Sequence, residues 1–72
     1  MRQNRLEPAE KSFRAVLKFN PNDYQAFGSL GIVMLRQGRL DEAELAFLSA
    51  LEIYPGDEVA LKNLEVLRRT RK

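Results

Sequence analysis

The sequence predicts an all-α fold of about four helices, paired as antiparallel helix-turn-helix hairpins and stacked into a short solenoid. Three observations carry that expectation. Apolar residues recur at steps of three and four in four segments of helical length, and no stretch alternates with period two over the length of a strand. Three turn signals separate those segments: Asn20-Pro21-Asn22-Asp23, Gln37-Gly38-Arg39 and Tyr54-Pro55-Gly56-Asp57. The chain also repeats itself. A shift of 34 positions superimposes Leu6 on Leu40, Ala9 on Ala43, Glu10 on Glu44, Phe13 on Phe47, Leu17 on Leu51, Pro21 on Pro55, Asp23 on Asp57, Ala26 on Ala60 and Leu30 on Leu64. These identities fall mostly on expected core or turn positions, as they must if one two-helix unit recurs and buries its apolar side only by stacking on its neighbours.

Each element has its own justification. In the first segment, 5–20, Leu6, Ala9, Phe13, Val16 and Leu17 share one helix face. In the second, Phe27, Leu30, Gly31 and Met34 share one side, while Gln25, Ser29, Ile32 and Arg36 lie roughly opposite at about 100° per residue. The third carries Leu40, Ala43, Phe47, Ala50, Leu51 and Tyr54, and the fourth, 58–70, carries Leu61, Leu64 and Leu67. Asp23 and Asp57 each follow a proline-containing turn and precede a helical pattern, where a carboxylate accepts from free N–H groups and meets the positive dipole end. Gly38 stands where a left-handed residue ends the second helix, and Asp41, Glu42 and Glu44 then open the third. Gly31 and Ala43 are small, which suits a close approach of two antiparallel helices with Phe27, Leu30, Phe47 and Leu51 filling the wider gaps.

Size and composition exclude many functions. Seventy-two residues make one domain at most, and twelve Lys plus Arg against ten Asp plus Glu leave a net charge of +2, too balanced to indicate a nucleic-acid partner. With no Cys and no His there are no disulfides, thiolate metal sites, Cys nucleophiles or His-based acid and base systems, so neither an enzyme nor a bound metal or cofactor is expected. Arg2-Gln3-Asn4-Arg5 follows Met1 with no apolar signal segment behind it, which favours the cytoplasm. The longest apolar run, Leu30 to Leu35 around Gly31, is far short of the roughly 20 residues a membrane span needs.

Phe27-x2-Leu30-Gly31-x2-Met34, then Ala43-x3-Phe47, then Pro55, resembles the tetratricopeptide repeat family, whose pattern is Trp-x2-Leu-Gly-x2-Tyr, Ala-x3-Phe and Pro. The resemblance covers nearly the whole chain: one full repeat over 24–57, a second half-repeat upstream with Ala9-x3-Phe13 and Pro21, and part of a first half downstream with Leu61-x2-Leu64. Phe for Trp and Met for Tyr are apolar replacements of comparable role. One period after Gly31 and Met34 stand Glu65 and Arg68, a polar outer face of the kind a terminal capping helix needs. At the other end Ala9, Phe13 and Val16 would normally meet a preceding helix, so self-association through the first helix is expected, or a place in a longer array.

The resemblance implies a non-catalytic adaptor or scaffold whose first helices line a concave groove for extended or helical peptide segments. The expected groove residues are Gln25, Ser29, Ile32 and Arg36, then Lys62, Asn63, Val66 and Thr70, where amides and cations around two apolar spots could hydrogen-bond a peptide backbone and attract carboxylates. The family's carboxylate clamp is matched only at Lys62, since Val66 stands where its next Asn belongs. Two other readings stay open. One is a structural or engineered self-assembling unit without a peptide ligand. The other is a small nucleic-acid-binding helical protein using Arg68, Arg69, Arg71 and Lys72, although these cations lack interleaved aromatics and are better explained as solubilising the terminus. Gly28-Ser29-Leu30-Gly31 lies within a helix and follows no strand, so it is not a phosphate cradle.

Overall fold

The computed structural model describes residues 6–71. Four helices run in order, α1 (Leu6–Phe19), α2 (Tyr24–Arg36), α3 (Leu40–Ile53) and α4 (Glu58–Arg71), and there is no strand among the described residues. Their limits follow from the turn chemistry. The Asp23 carboxylate accepts from the Ala26 N–H at 3.1 Å, and the Asp57 carboxylate accepts from the Val59 N–H at 3.1 Å, so both aspartates cap the helix that follows. The turns before them are also alike: the Asp23 N–H donates to the Asn20 carbonyl and, 34 positions on, the Asp57 N–H donates to the Tyr54 carbonyl, each at 3.1 Å.

Gly38 has φ +80°, and around it the Arg39 N–H reaches back to the Met34 carbonyl at 2.9 Å while the Gly38 N–H reaches the Leu35 carbonyl at 3.1 Å. That double closure satisfies carbonyls left over at the end of α2 and turns the chain sharply into α3. Asp41 and Glu42 occupy the first turn of α3, where negative charge meets the positive end of the helix dipole. Tyr54 falls just outside α3 in an extended conformation, because the following Pro55 disfavours helical backbone at the residue before it.

Helix α2 is the centre of the structure: it packs on α1, on α3 and on α4, and α3 in turn packs on α4. The core cluster runs through α2, α3 and α4, with Leu30 and Met34 against Ala43, Ala46, Phe47 and Ala50, and then Ala60, Leu64 and Leu67. Phe47 and Leu67 are its largest fully buried side chains. A Cβ on Gly31 would come within 2.7 Å of the Phe47 ring, so the ring packs against bare backbone and lets α2 and α3 approach closely. Helix α1 is attached differently. None of its residues is fully buried, and Phe13 and Leu17 reach the core only from its edge.

A polar tie supplements that edge. Arg39, in the turn between α2 and α3, donates to Glu10 of α1 at 2.9 Å and to Glu42 of α3 at 2.6 Å, and Arg14 also donates to Glu10 at 2.9 Å. Hydrogen bonds from Arg39 and then Arg14 hold the Glu10 carboxyl below its usual 4.5, and Arg39 does the same for Glu42. The guanidinium of Arg39 is correspondingly harder to deprotonate, through Glu42 first and Glu10 second.

Candidate functional site

Helices α2 and α4 lie side by side and leave a hollow of about 470 Å³ between their N-terminal halves. Tyr24, Gln25, Gly28, Ser29 and Ile32 of α2 form one wall, and Tyr54, Asp57 and Val59 form the other. The helical period explains the first wall, since positions 25, 28, 29 and 32 recur at three and four along one face. The turn Tyr54-Pro55-Gly56-Asp57 supplies the second. The Tyr54 ring lies close over Gly56, where a Cβ would make ordinary contact at 3.5 Å, and leans on Tyr24 with centroids 4.8 Å apart and planes 53° apart.

Gly28 makes the floor. A Cβ at this position would lie 4.0 Å from Asp57 Oδ2, so the missing side chain leaves that carboxylate oxygen facing the space. Asp57 is only 8% exposed, the one buried charged residue among those described, and its Oδ1 is occupied by the Val59 N–H. Apart from the two tyrosines, it is the only ionisable group in the lining.

Of the expected groove residues the structure gathers Gln25, Ser29 and Ile32 in this hollow; Ile32 is half-buried and also touches the core. Arg36 stands at the far end of α2, beside Leu6, Glu7, Gln37 and Arg39 in a separate recess. Lys62 and Val66 are exposed on α4 away from the hollow. Asn63 and Thr70 turn back on their own helix, Asn63 Nδ2 donating to the Val59 carbonyl at 2.7 Å and the Thr70 hydroxyl to the Val66 carbonyl at 2.9 Å.

Sequence reasoning missed Tyr24, Gly28, Tyr54, Asp57 and Val59 as lining residues. Val59 was within reach, because the 34-residue shift that aligns the repeats carries Gln25 onto it. Asp57 caps α4 as the sequence predicts, and its carboxylate also lines the hollow beside Gly28.

Ala9 and Phe13, expected at a self-association face, are half-buried against α2 and the core edge, and Val16 is 41% exposed. Their counterparts one repeat later, Ala43, Phe47 and Ala50, are all 0% exposed. Glu65 and Arg68 are exposed on α4, with Leu61, Leu64 and Arg69 around a shallow recess, and Arg69 donates to Glu65 at 3.3 Å. Arg68 and Arg69 are exposed, Arg71 ends α4, and Lys72 lies outside the described residues.

Among the described residues no group of three or more acidic, His or Cys side chains is placed to hold a metal ion, and no helix is long and apolar enough to cross a membrane. The family model described as "Tetratricopeptide repeat" matches residues 1–58 of the 72. No curated protein and no solved structure matches the chain.

Proposed function

The chain belongs to the tetratricopeptide repeat family, whose members are generally protein-interaction modules, and from that premise we propose a non-catalytic adaptor that takes an extended peptide segment in the hollow between α2 and α4. The observation that carries this reading is the hollow itself. It is roughly the size of an ordinary ligand site, open along the helices, and mixes apolar contact from Ile32 and Val59 with polar groups on Gln25, Ser29 and Asp57. In domain terms we read 24–57 as one full repeat, α1 as the second helix of a partial one and α4 as a capping helix.

Peptides selected from a displayed library on the immobilised chain test the site. Binding measured by fluorescence anisotropy should weaken severalfold with Gln25→Arg, at the exposed rim, and stay unchanged with Leu48→Lys on α3, which is exposed and outside the hollow. The opposite pattern would move the site to the outer surface.

A second reading, self-association through α1, is favoured by one comparison. Ala43, Phe47 and Ala50 are sealed by α2 and the rest of the core, whereas Ala9, Phe13 and Val16 hold the same repeat positions and remain partly open. A second copy could cover them with its own α1, giving a two-fold pair. Joining α1 to α4 head to tail is disfavoured, because Glu65 stands where Gly31 lets the Phe47 ring approach. Sedimentation should then show a dimer that Val16→Lys dissociates; a parent mass independent of concentration would eliminate this reading.

A further inference from the structure

We infer that the hollow between α2 and α4 takes a lysine side chain from a partner's extended segment, with its ammonium at Asp57 Oδ2 and its stem against the rings of Tyr24 and Tyr54. The inference rests on the reading of this hollow as a peptide site and specifies its chemistry.

Charge decides the sign of the ligand. The lining contains one carboxylate and no cation. The nearby charges reinforce it: Asp23 caps α2 at the same end of the hollow, and Glu58, exposed, follows Asp57 directly. The positive ends of the α2 and α4 dipoles both point here and oppose them, at about half a charge each, but each is met by the full charge of its capping carboxylate, Asp23 and Asp57. Arg36 is at the other end of α2, in a different recess. A carboxylate-bearing ligand would therefore meet repulsion here and a cation attraction.

Geometry then selects the kind of cation. Asp57 Oδ1 is already engaged by the Val59 N–H, so the carboxylate offers one oxygen to a ligand rather than two. An arginine fork gains most from a bidentate partner, whereas an ammonium is a point charge that a single oxygen satisfies. Asp57 is largely shielded as a residue while Oδ2 has no protein donor among the described residues and faces the open hollow, so a bound ammonium meets an acceptor that none of them occupies. The tilted pair of tyrosine rings supplies apolar surface for a methylene stem and π-faces that attract a cation. Gly28 leaves the depth: with a side chain there, the path to Oδ2 would narrow.

The test uses three blocked pentapeptides, Gly-Ala-Xaa-Ala-Gly with Xaa as lysine, norleucine or glutamate, titrated into the isotopically labelled full chain and followed by amide chemical shifts. The lysine peptide should perturb Tyr24, Ser29, Ile32 and Val59 and bind about tenfold more tightly than the norleucine peptide, with glutamate weakest. Asp57→Asn keeps the cap, since Asn and Asp serve equally there, and should abolish the lysine advantage. Tyr54→Leu, at a position already half exposed, should reduce it while leaving Asp57 in place. Equal binding of lysine and norleucine at these amides would overturn the lysine assignment and leave the peptide groove standing. Perturbation confined to other surfaces, or none with any peptide, would overturn both.

Discussion

Two glycines three residues apart on α2 should respond to the same substitution by clearly different amounts. Gly28→Ala and Gly31→Ala each replace glycine inside a helix, a change worth about 1 kcal/mol in favour of the folded state from backbone propensity alone. At Gly28 nothing opposes that gain, because the new Cβ makes ordinary contact with Asp57 Oδ2 at 4.0 Å. At Gly31 the Cβ arrives 2.7 to 2.9 Å from three atoms of the Phe47 ring, where carbon atoms prefer about 3.5 to 4.0 Å. Phe47 is fully buried, so its ring has no open side to retreat into. Overpacking of this kind costs about 1 to 3 kcal/mol. The propensity contribution is common to both variants, so the difference between them isolates the ring clash and should fall in that same range, with Gly28→Ala above the parent and Gly31→Ala below Gly28→Ala. Urea unfolding followed by far-ultraviolet circular dichroism measures both. Equal stabilisation by the two alanines would mean that α2 and α3 do not approach through Gly31, and the packing argument would fail with it.

Phe47→Ala should cost about 3 to 5 kcal/mol, as much as so small a core supplies, and leave the chain largely unfolded, whereas Phe13→Ala should cost about 1 kcal/mol because Phe13 is only half-buried; thermal melts by circular dichroism distinguish the two. Gly38→Ala should lose about 1 to 2 kcal/mol, since a left-handed backbone is strained by a Cβ even though the space around Gly38 is empty, and Gly38→Asn should recover part of it. The Glu10 carboxyl titrates lower in the folded chain than unfolded, so its contribution is complete above the usual 4.5 and fades as pH falls through the depressed folded value. Urea midpoints should therefore drop on acidification below about pH 4.5 in the parent, and drop less in Glu10→Gln.

The fold was legible because its signals are local and repeated. Asp23 and Asp57 could be read as caps from their place after a proline turn, and Gly38 as a left-handed stop from its place after an apolar helix, since the chemistry of a helix end lies within a few residues of it. The close approach at Gly31 was legible from size. The hollow was legible only in part. Gln25, Ser29 and Ile32 share one helix face and follow from its period, whereas Tyr54 and Asp57 of the second wall come from a turn, whose side-chain directions helical periodicity does not give. Lys62, Asn63, Val66 and Thr70 lie on α4, but the hollow opens nearer the start of that helix, at Val59. The tie from Arg39 to Glu10 joins residues 29 apart in sequence, and no local pattern pairs them.

The repeat register separates what a residue type specifies from what a neighbour supplies. Ala9, Phe13 and Val16 carry nearly the same chemistry as Ala43, Phe47 and Ala50, and both sets lie on helices of the same length. Their exposures differ because α3 lies in the angle between α2 and α4, while α1 meets only α2. Burial in a solenoid is thus a property of the stack, and a side chain such as Phe13 holds its share of the core in proportion to the helices around it. The same logic applies to the hollow, where Asp57 is a cap by its own position and lines the hollow together with Gly28 on the adjoining helix. A surface made by two repeats takes its shape from both, so the same repeat position is a bare backbone lining the hollow at Gly28 and an exposed side chain outside it at Lys62.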